Sequence, residues 1–343
     1  RIQEEFRVPF DLGGTEVFAT ISIGIALWNS DYERPEDLLR DSDTAMYRAK
    51  SMGRNSFAVF DDAMHKKVVA TLRLENDLRR ALARNEFRVF YQPIVAIDDG
   101  HIAGVGALVR WQHPERGLLL PGEFIMVAEE MGAIIQLDRW VAEEACKQLR
   151  VWHQKYRAHK RATMSVNLST TQLMRPDVVS GVDLILRNSG LYGESLKLEV
   201  TESVLMENAE YAQAVLEQLR KLKIAISIDD FGTGYSSLAY LRRFEIDTLK
   251  IDYSFVSRML EDEESSEIVR TIITLAKNLG KDTVAEGVQT RSQFEALIEQ
   301  GVNMVQGYFI APPLPKEVAE SLLERTAEQP NHMAKILSDR MQG

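Results

Sequence analysis

A single cysteine, Cys146, among 343 residues excludes an intrachain disulfide and any cysteine-based metal cluster. It stands in the helical pattern WVAEEACKQL, where a small buried apolar role suits it better than that of a nucleophile. A reducing, cytoplasmic setting fits this scarcity. Long apolar runs are lacking too. No stretch approaches the roughly 20 residues that cross a bilayer, and no basic-then-apolar start marks a signal peptide. The chain opens inside an element (RIQEEFRVPF) without an initiator Met, which reads as a piece of a longer protein that could be membrane-tethered upstream. Positive charge is in deficit: 41 Lys+Arg against 51 Asp+Glu leave a net charge of −10. That argues against binding a nucleic-acid polymer, which needs a basic surface. An anionic ligand would need a local positive centre, supplied by bound divalent cations and one or two basic side chains. What remains, 45% apolar and 27% charged, is the composition of an ordinary globular protein.

The order of patterns divides the chain. Residues 1–62 read as strand, strand, helix, strand, with FRVPFDL and EVFATISIGIAL flanking a Gly13-Gly14 turn and Gly53 placed to end the helix. This is too little chain for a stable core of its own. Residues 63–85 form one pattern of good helix formers and read as a linker helix. Residues 86–325 alternate strand and helix, and 326–343 are a tail. The candidate strands are FRVFYQPIVAI, HIAGVGALVRW, ATMSVNLS, SLKLEVTES, KIAISIDDF, DTLKIDYSF, DTVAEGV and NMVQGYF. Amphipathic helical stretches separate most of them, which predicts a (β/α)₈ TIM-like barrel of the α/β class. The first two strands are joined only by Asp98-Asp99-Gly100, so one strand should run antiparallel.

Barrel chemistry gathers at the C-terminal ends of strands. Those ends carry Asn167, Glu199, Glu202, Asp229, Asp230, Lys250, Glu286 and Gln306. Carboxylates converging on one mouth repel unless cations neutralise them, and oxygen-only ligands favour Mg²⁺ or Mn²⁺, with Ca²⁺ able to bind without supporting chemistry. Two adjacent ions are a usual arrangement for phosphodiester hydrolysis. Singly, each residue has an ordinary alternative: a helix cap, a surface charge, a turn amide. The adjacent acids after the apolar run IAISI, and the recurrence of polar residues on successive strands, favour a site.

From about residue 70 to 325 the motifs YQPI, GALVRW, FIMVAEE, VNLS, LEVTES, IDDFGTGYSSL, LKID, AEGV and QGYF follow in the order found in EAL-family cyclic-di-GMP phosphodiesterases, which this stretch resembles. SIGIA and DSDTAMYRAKSMGRN resemble the C-terminal half of a GGDEF, or diguanylate cyclase, domain, preceding the barrel as a partial α+β fragment. The second resemblance implies phosphate contacts for Lys50 and Arg54, for which solvated helix-end charge is the plainer reading, and no cyclase activity is expected of this piece. The first implies hydrolysis of cyclic di-GMP to linear pGpG with two Mg²⁺ or Mn²⁺, Ca²⁺ being inhibitory. It assigns metal to Asn167, Glu199, Asp229, Asp230 and Glu286, and the attacking water to Lys250, Glu286 and Gln306. Arg110 is assigned to a ligand phosphate, for which a structural pairing with a barrel acid is the alternative. Gln92 and Leu108 fall on the guanine and ribose side. Glu202 should brace the loop Phe231 to Leu238, through which a homodimer is expected.

The departure falls at position 106, where the family's metal-ligating Glu is replaced by Gly106. Glycine offers no side-chain oxygen, its backbone carbonyl along the strand cannot reach where a carboxylate would, and a water in its place brings no charge, so metal affinity should fall. Three readings stay open. The module is an impaired phosphodiesterase, a receptor that signals by binding cyclic di-GMP, or a protein-interaction scaffold.

Overall fold

The structure is a computed structural model that describes residues 2–329 apart from 7, 9, 12, 14, 15, 29–31, 33, 52–54 and 235–242. It divides into two compact units, Arg1–Arg80 and Ala81–Gly343.

In the first unit β1 (Phe10–Asp11) pairs antiparallel with β2 (Glu16–Val17). Strands β3 (Ile23–Ile25) and β4 (Phe57–Val59) pair in parallel around the helix Pro35–Ser51. Ala45, Ala49 and Ala58 form their core, with Phe60 packed against it. Alanines bury little apolar area, so this core contributes little stability. Lys50 is exposed at the end of its helix, whereas Gly14, Gly53 and Arg54 lie outside the described residues. The next helix, Asp62–Ala81, stops short of the expected residue 85. Asn85 takes a left-handed conformation (φ 53) and the Glu86 N–H closes onto the Ala81 carbonyl at 3.0 Å. Asparagine tolerates that conformation, and it stops a pattern that composition alone would continue.

The second unit is built on β5 (Phe87–Ala96), β6 (Ile102–His113), β7 (Gly117–Leu119), β8 (Thr163–Asn167), β9 (Leu196–Thr201), β10 (Ala225–Phe231), β11 (Thr248–Ile251), β12 (Asp282–Ala285) and β13 (Met304–Val305). The sheet order β5-β13-β12-β11-β10-β9-β8-β6 is closed by the pairing of β5 with β6. Strand β5 is antiparallel to both neighbours, and the rest of the closed barrel is parallel. The antiparallel strand is thus β5, which the short Asp98-Asp99-Gly100 connection joins to β6. Strand β7, which sequence reading passed over, adds to β6 outside the barrel.

Alternation along the parallel strands sorts two sets of side chains. Met164, Val166, Leu198, Val200, Ile226, Ile228, Leu249 and Ile251 are at most 2% exposed and pack beneath the outer helices. Each contributes roughly 1.5–3 kcal/mol by burial. Residues of opposite parity, Ser165, Lys197, Glu199, Ser227 and Lys250, line the barrel interior, and all are buried or nearly so. Several strands are shorter than expected: NMVQGYF keeps only Met304–Val305 in the ladder, DTVAEGV ends at Ala285, DTLKIDYSF ends at Ile251 before the helix Tyr253–Arg258, and LEVTES ends at Thr201, so that Glu202 opens the helix Glu202–Glu207.

Candidate active site at the barrel mouth

Lys250, 3% exposed, sits at the centre of the mouth. Its Nζ lies 2.8 Å from Glu199 Oε2, 2.9 Å from Asp229 Oδ1 and 2.6 Å from Glu286 Oε1. Burial alone would depress its pKa; the charges of Glu199, Glu286 and Asp229 override that and hold it well above the ordinary lysine value. Burial likewise raises Glu199 despite Lys250 beside it. Glu286 is pushed up to about 8, by burial first and then by Asp229 and Glu199, against the pull of Lys250. One ammonium is therefore shared by more carboxylate than it can neutralise. Asp229 Oδ1 is buried and, although near Lys250, accepts no hydrogen bond in good geometry. Asn167 joins the group through register, its Cα paired with that of Glu199 across β8 and β9.

The paired acids need a backbone device. Neighbouring residues of a regular strand face opposite sides, so Asp229 and Asp230 could not both address the mouth. The β10–β11 register slips between Ile228 and Phe231, and Asp230 adopts a left-handed φ of 52°. Such a conformation costs a non-glycine residue about 1–2 kcal/mol. It turns Asp230 inward, and carboxylate oxygens of Asp229, Asp230 and Glu286 come within 4.8 Å of one another. Burial, then the charges of Asp229 and Asp252, push Asp230 up to about 6.

Glycines fix the two strand ends that follow. At Gly287 (φ +64) an added Cβ would meet Tyr253 Cδ2 at 2.2 Å, and at Gly307 one would meet the Val288 carbonyl oxygen at 2.2 Å. The close approach lets the Val288 N–H donate to Gln306 O at 3.1 Å, tying the second residue after Glu286 to the residue after β13.

On the β5–β6 side, Gln92 is directly opposite Gly106, Phe90 opposite Leu108, and Arg88 opposite Arg110. Arg110 is 8% exposed; its Nη1 donates to Val109 O at 2.8 Å and its guanidinium lies 5.5 Å from the Phe90 ring centroid. Among the described residues no carboxylate pairs with it. Leu108 is half-buried beside it. Gln306 Nε2 donates to Gln92 Oε1 at 3.0 Å, and Gln92 Nε2 donates to Ala311 O at 3.0 Å. A Cβ at position 106 would stand 3.0 Å from Gln306 Nε2, so the space of the missing side chain is partly taken by that amide.

Glu202 is buried, and its Oε2 accepts from the Gly232 N–H at 3.2 Å. Residues 235–238 of that loop, through which a homodimer is expected, lie outside the described residues. Sequence reading missed Phe90, under Arg110, and Asp252, beside Asp230. Both sit in quoted motifs or strands, and alternation from Gln92 and Lys250 would have found them.

Oxygen donors gathered in excess of their counter-charge fit a hard divalent cation, and a buried arginine lacking a carboxylate fits a phosphate. An acid-lined barrel with an arginine at its rim is the class this fold and site define. The EAL domain model matches residues 75–313, and that of the diguanylate cyclase GGDEF domain matches residues 1–56. The chain belongs to the EAL domain family. It is 41% identical over 319 residues to the bifunctional diguanylate cyclase/cyclic di-GMP phosphodiesterase MucR of Pseudomonas aeruginosa, covering 93% of this chain and 46% of that protein. It is 37% identical over 325 residues to the cyclic di-GMP phosphodiesterase PdeR of Escherichia coli, covering 95% and 49% respectively. The chain thus spans less than half the length of these relatives. A solved PaMucR phosphodiesterase in complex with c-di-GMP superposes with a TM-score of 0.70 at 42% identity, covering 72% of this chain and 99% of that one. Among the described residues no helix is long and apolar enough to cross a membrane.

Proposed function

We propose that residues 86–325 form an EAL-type cyclic-di-GMP phosphodiesterase module, impaired because position 106 carries no carboxylate. On this reading residues 1–62 are a GGDEF fragment, 63–85 a connecting helix and 326–343 a tail. The observation that carries it is the juxtaposition at one mouth of Arg110, without a carboxylate partner among the described residues, and an acid cluster short of counter-charge. Relatives named as cyclic di-GMP phosphodiesterases, and a relative solved with c-di-GMP, support the ligand.

Asn167, Glu199, Asp229 and Glu286 would hold one Mg²⁺ or Mn²⁺, with Asp229 and Asp230 serving a second; Ca²⁺ would occupy the same oxygens unproductively. When bound, the ions acidify water and polarise the phosphoryl oxygens. Arg110 presents two parallel N–H donors to a ligand phosphate. Gln92 and Leu108 line the guanine and ribose side. Lys250, held protonated, is no base; it stabilises the charge that builds as water attacks phosphorus. The P–O3′ bond opens, phosphorus gains the water oxygen, and the leaving oxygen ends protonated, giving linear pGpG.

A receptor reading is favoured by Gly106 taken together with the intact Arg110. Calorimetric titration of cyclic di-GMP in Ca²⁺, then in Mg²⁺ with chromatography for pGpG, separates the two. Binding with slow product supports impaired hydrolysis. Binding without product over many hours makes the module a receptor, and no binding leaves only the scaffold.

A further inference from the structure

Gln306 is 5% exposed and held from both sides. Its backbone N–H donates to Ala285 O at 2.9 Å and its carbonyl accepts from Val288 N–H at 3.1 Å, which anchors it beside Glu286. Its side chain reaches under β5 toward β6, where Nε2 meets Gln92 Oε1 at 3.0 Å and lies 3.0 Å from where a Cβ of residue 106 would be. The direction of this amide is not free. Gln92 must turn its nitrogen to the Ala311 carbonyl, which leaves its oxygen for Gln306, so Gln306 must offer nitrogen there. The oxygen, Gln306 Oε1, is consequently turned away from Gln92. It is buried and accepts no hydrogen bond. Gln172 Oε1 and Gln300 Oε1 are likewise without a donor, but of these oxygens only that of Gln306 belongs to a side chain at the barrel mouth.

We propose that Gln306 Oε1 is a metal ligand that stands in for the carboxylate lost at Gly106, with Gln92 as the positioning residue that aims it. The inference rests on the phosphodiesterase reading above, since it concerns the same cations. Amide oxygens are ordinary ligands of hard divalent ions, and Asn167 is expected to act in the same way. A neutral oxygen replaces the lost donor without replacing its charge. The site should then bind metal more weakly than one with a carboxylate at 106, yet more tightly than one completed by water alone. Access depends on the absent side chain, because Nε2 of the same amide group borders the space that glycine leaves.

The test is titration of Mn²⁺ alone into the full 343-residue chain, without nucleotide, by calorimetry and by the spin-resonance signal of free Mn²⁺. Gln306→Leu, similar in size and without the oxygen, should weaken binding about 10-fold or more. Gln306→Glu, which restores a charge, should tighten it by a similar factor at pH 8. Gln92→Leu should weaken it by less, by freeing the amide. A merely structural role for Gln306 would instead lower the melting temperature in EDTA and leave Mn²⁺ affinity unchanged; that pattern overturns the proposal. So does a Gln306→Glu protein that binds no tighter than the parent, which keeps the test decisive if the Leu variant does not fold. If the parent chain binds no Mn²⁺ at millimolar concentration, the metal-dependent reading itself fails and takes this inference with it. Parent binding with an indifferent Gln306 sinks the inference alone.

Discussion

At position 106 a glutamate side chain would enter a space bordered by the end of a flexible side chain, Gln306, at 3.0 Å, with the nearest backbone atom, Gln92 O, at 3.8 Å. The amide can yield by a few tenths of an ångström, so Gly106→Glu should fold. It should raise Mg²⁺-dependent pGpG formation by at least about 10- to 100-fold, measured by chromatography; no gain would mean that another group is defective. Arg110→Ala should weaken cyclic di-GMP binding by about 1.5–3 kcal/mol, read by calorimetry in Ca²⁺, because it removes a charge-assisted contact. A third residue sets a pH response away from the metals. Asp138 Oδ2 accepts from Ser169 N–H at 3.3 Å, yet burial pushes Asp138 up to about 6. Its folded-state pKa lies above the unfolded value, so its contribution to stability is full below about pH 4 and is lost as pH rises through about 6. Asp138→Asn should therefore be more stable than the parent by roughly 1–3 kcal/mol at pH 7, and the gain should vanish by pH 4 in thermal melts.

At the scale of elements, the start of the loop after β10 is tied to the helix Glu202–Glu207 through Glu202. Glu202→Ala would strand the Gly232 N–H and should cost about 1–3 kcal/mol, with faster hydrogen exchange at Gly232 as the direct sign. The antiparallel entry strand was legible because Asp98-Asp99-Gly100 is too short for a crossover, and the parallel strands because amphipathic helical stretches separate most of them. Asp229 and Asp230 were legible as a pair, but the register slip that turns both inward was not. A slip is decided by the neighbouring strand, and β11 is distant in sequence. The stop at Ala81 was hidden for a related reason: Asn85 is a passable helix residue whose left-handed turn is fixed only where β5 begins. Gln306 was placed by resemblance as a support for water. Its contact with the space at 106 needs β13 and β5 side by side, and β13 is only two residues long.

For the whole molecule, a net charge of −10 and a mouth rich in carboxylate attract cations before any ligand arrives. Mn²⁺ at about 100 times its dissociation constant should stabilise the barrel by roughly 2.7 kcal/mol. Its melting transition should rise by several degrees over that in EDTA, and higher salt should shrink the gain through screening. Closure of the barrel also has a history in time. The β5–β6 hairpin pairs residues close in sequence, so it can form within microseconds. The Gln92–Gln306 hydrogen bond, by contrast, joins residues 214 positions apart and depends on the last seam, β5 against β13. Chain entropy makes such a long-range pairing slow. During refolding, then, native-like sheet should accumulate first, and competence to hold a metal ion should return only with the final kinetic phase.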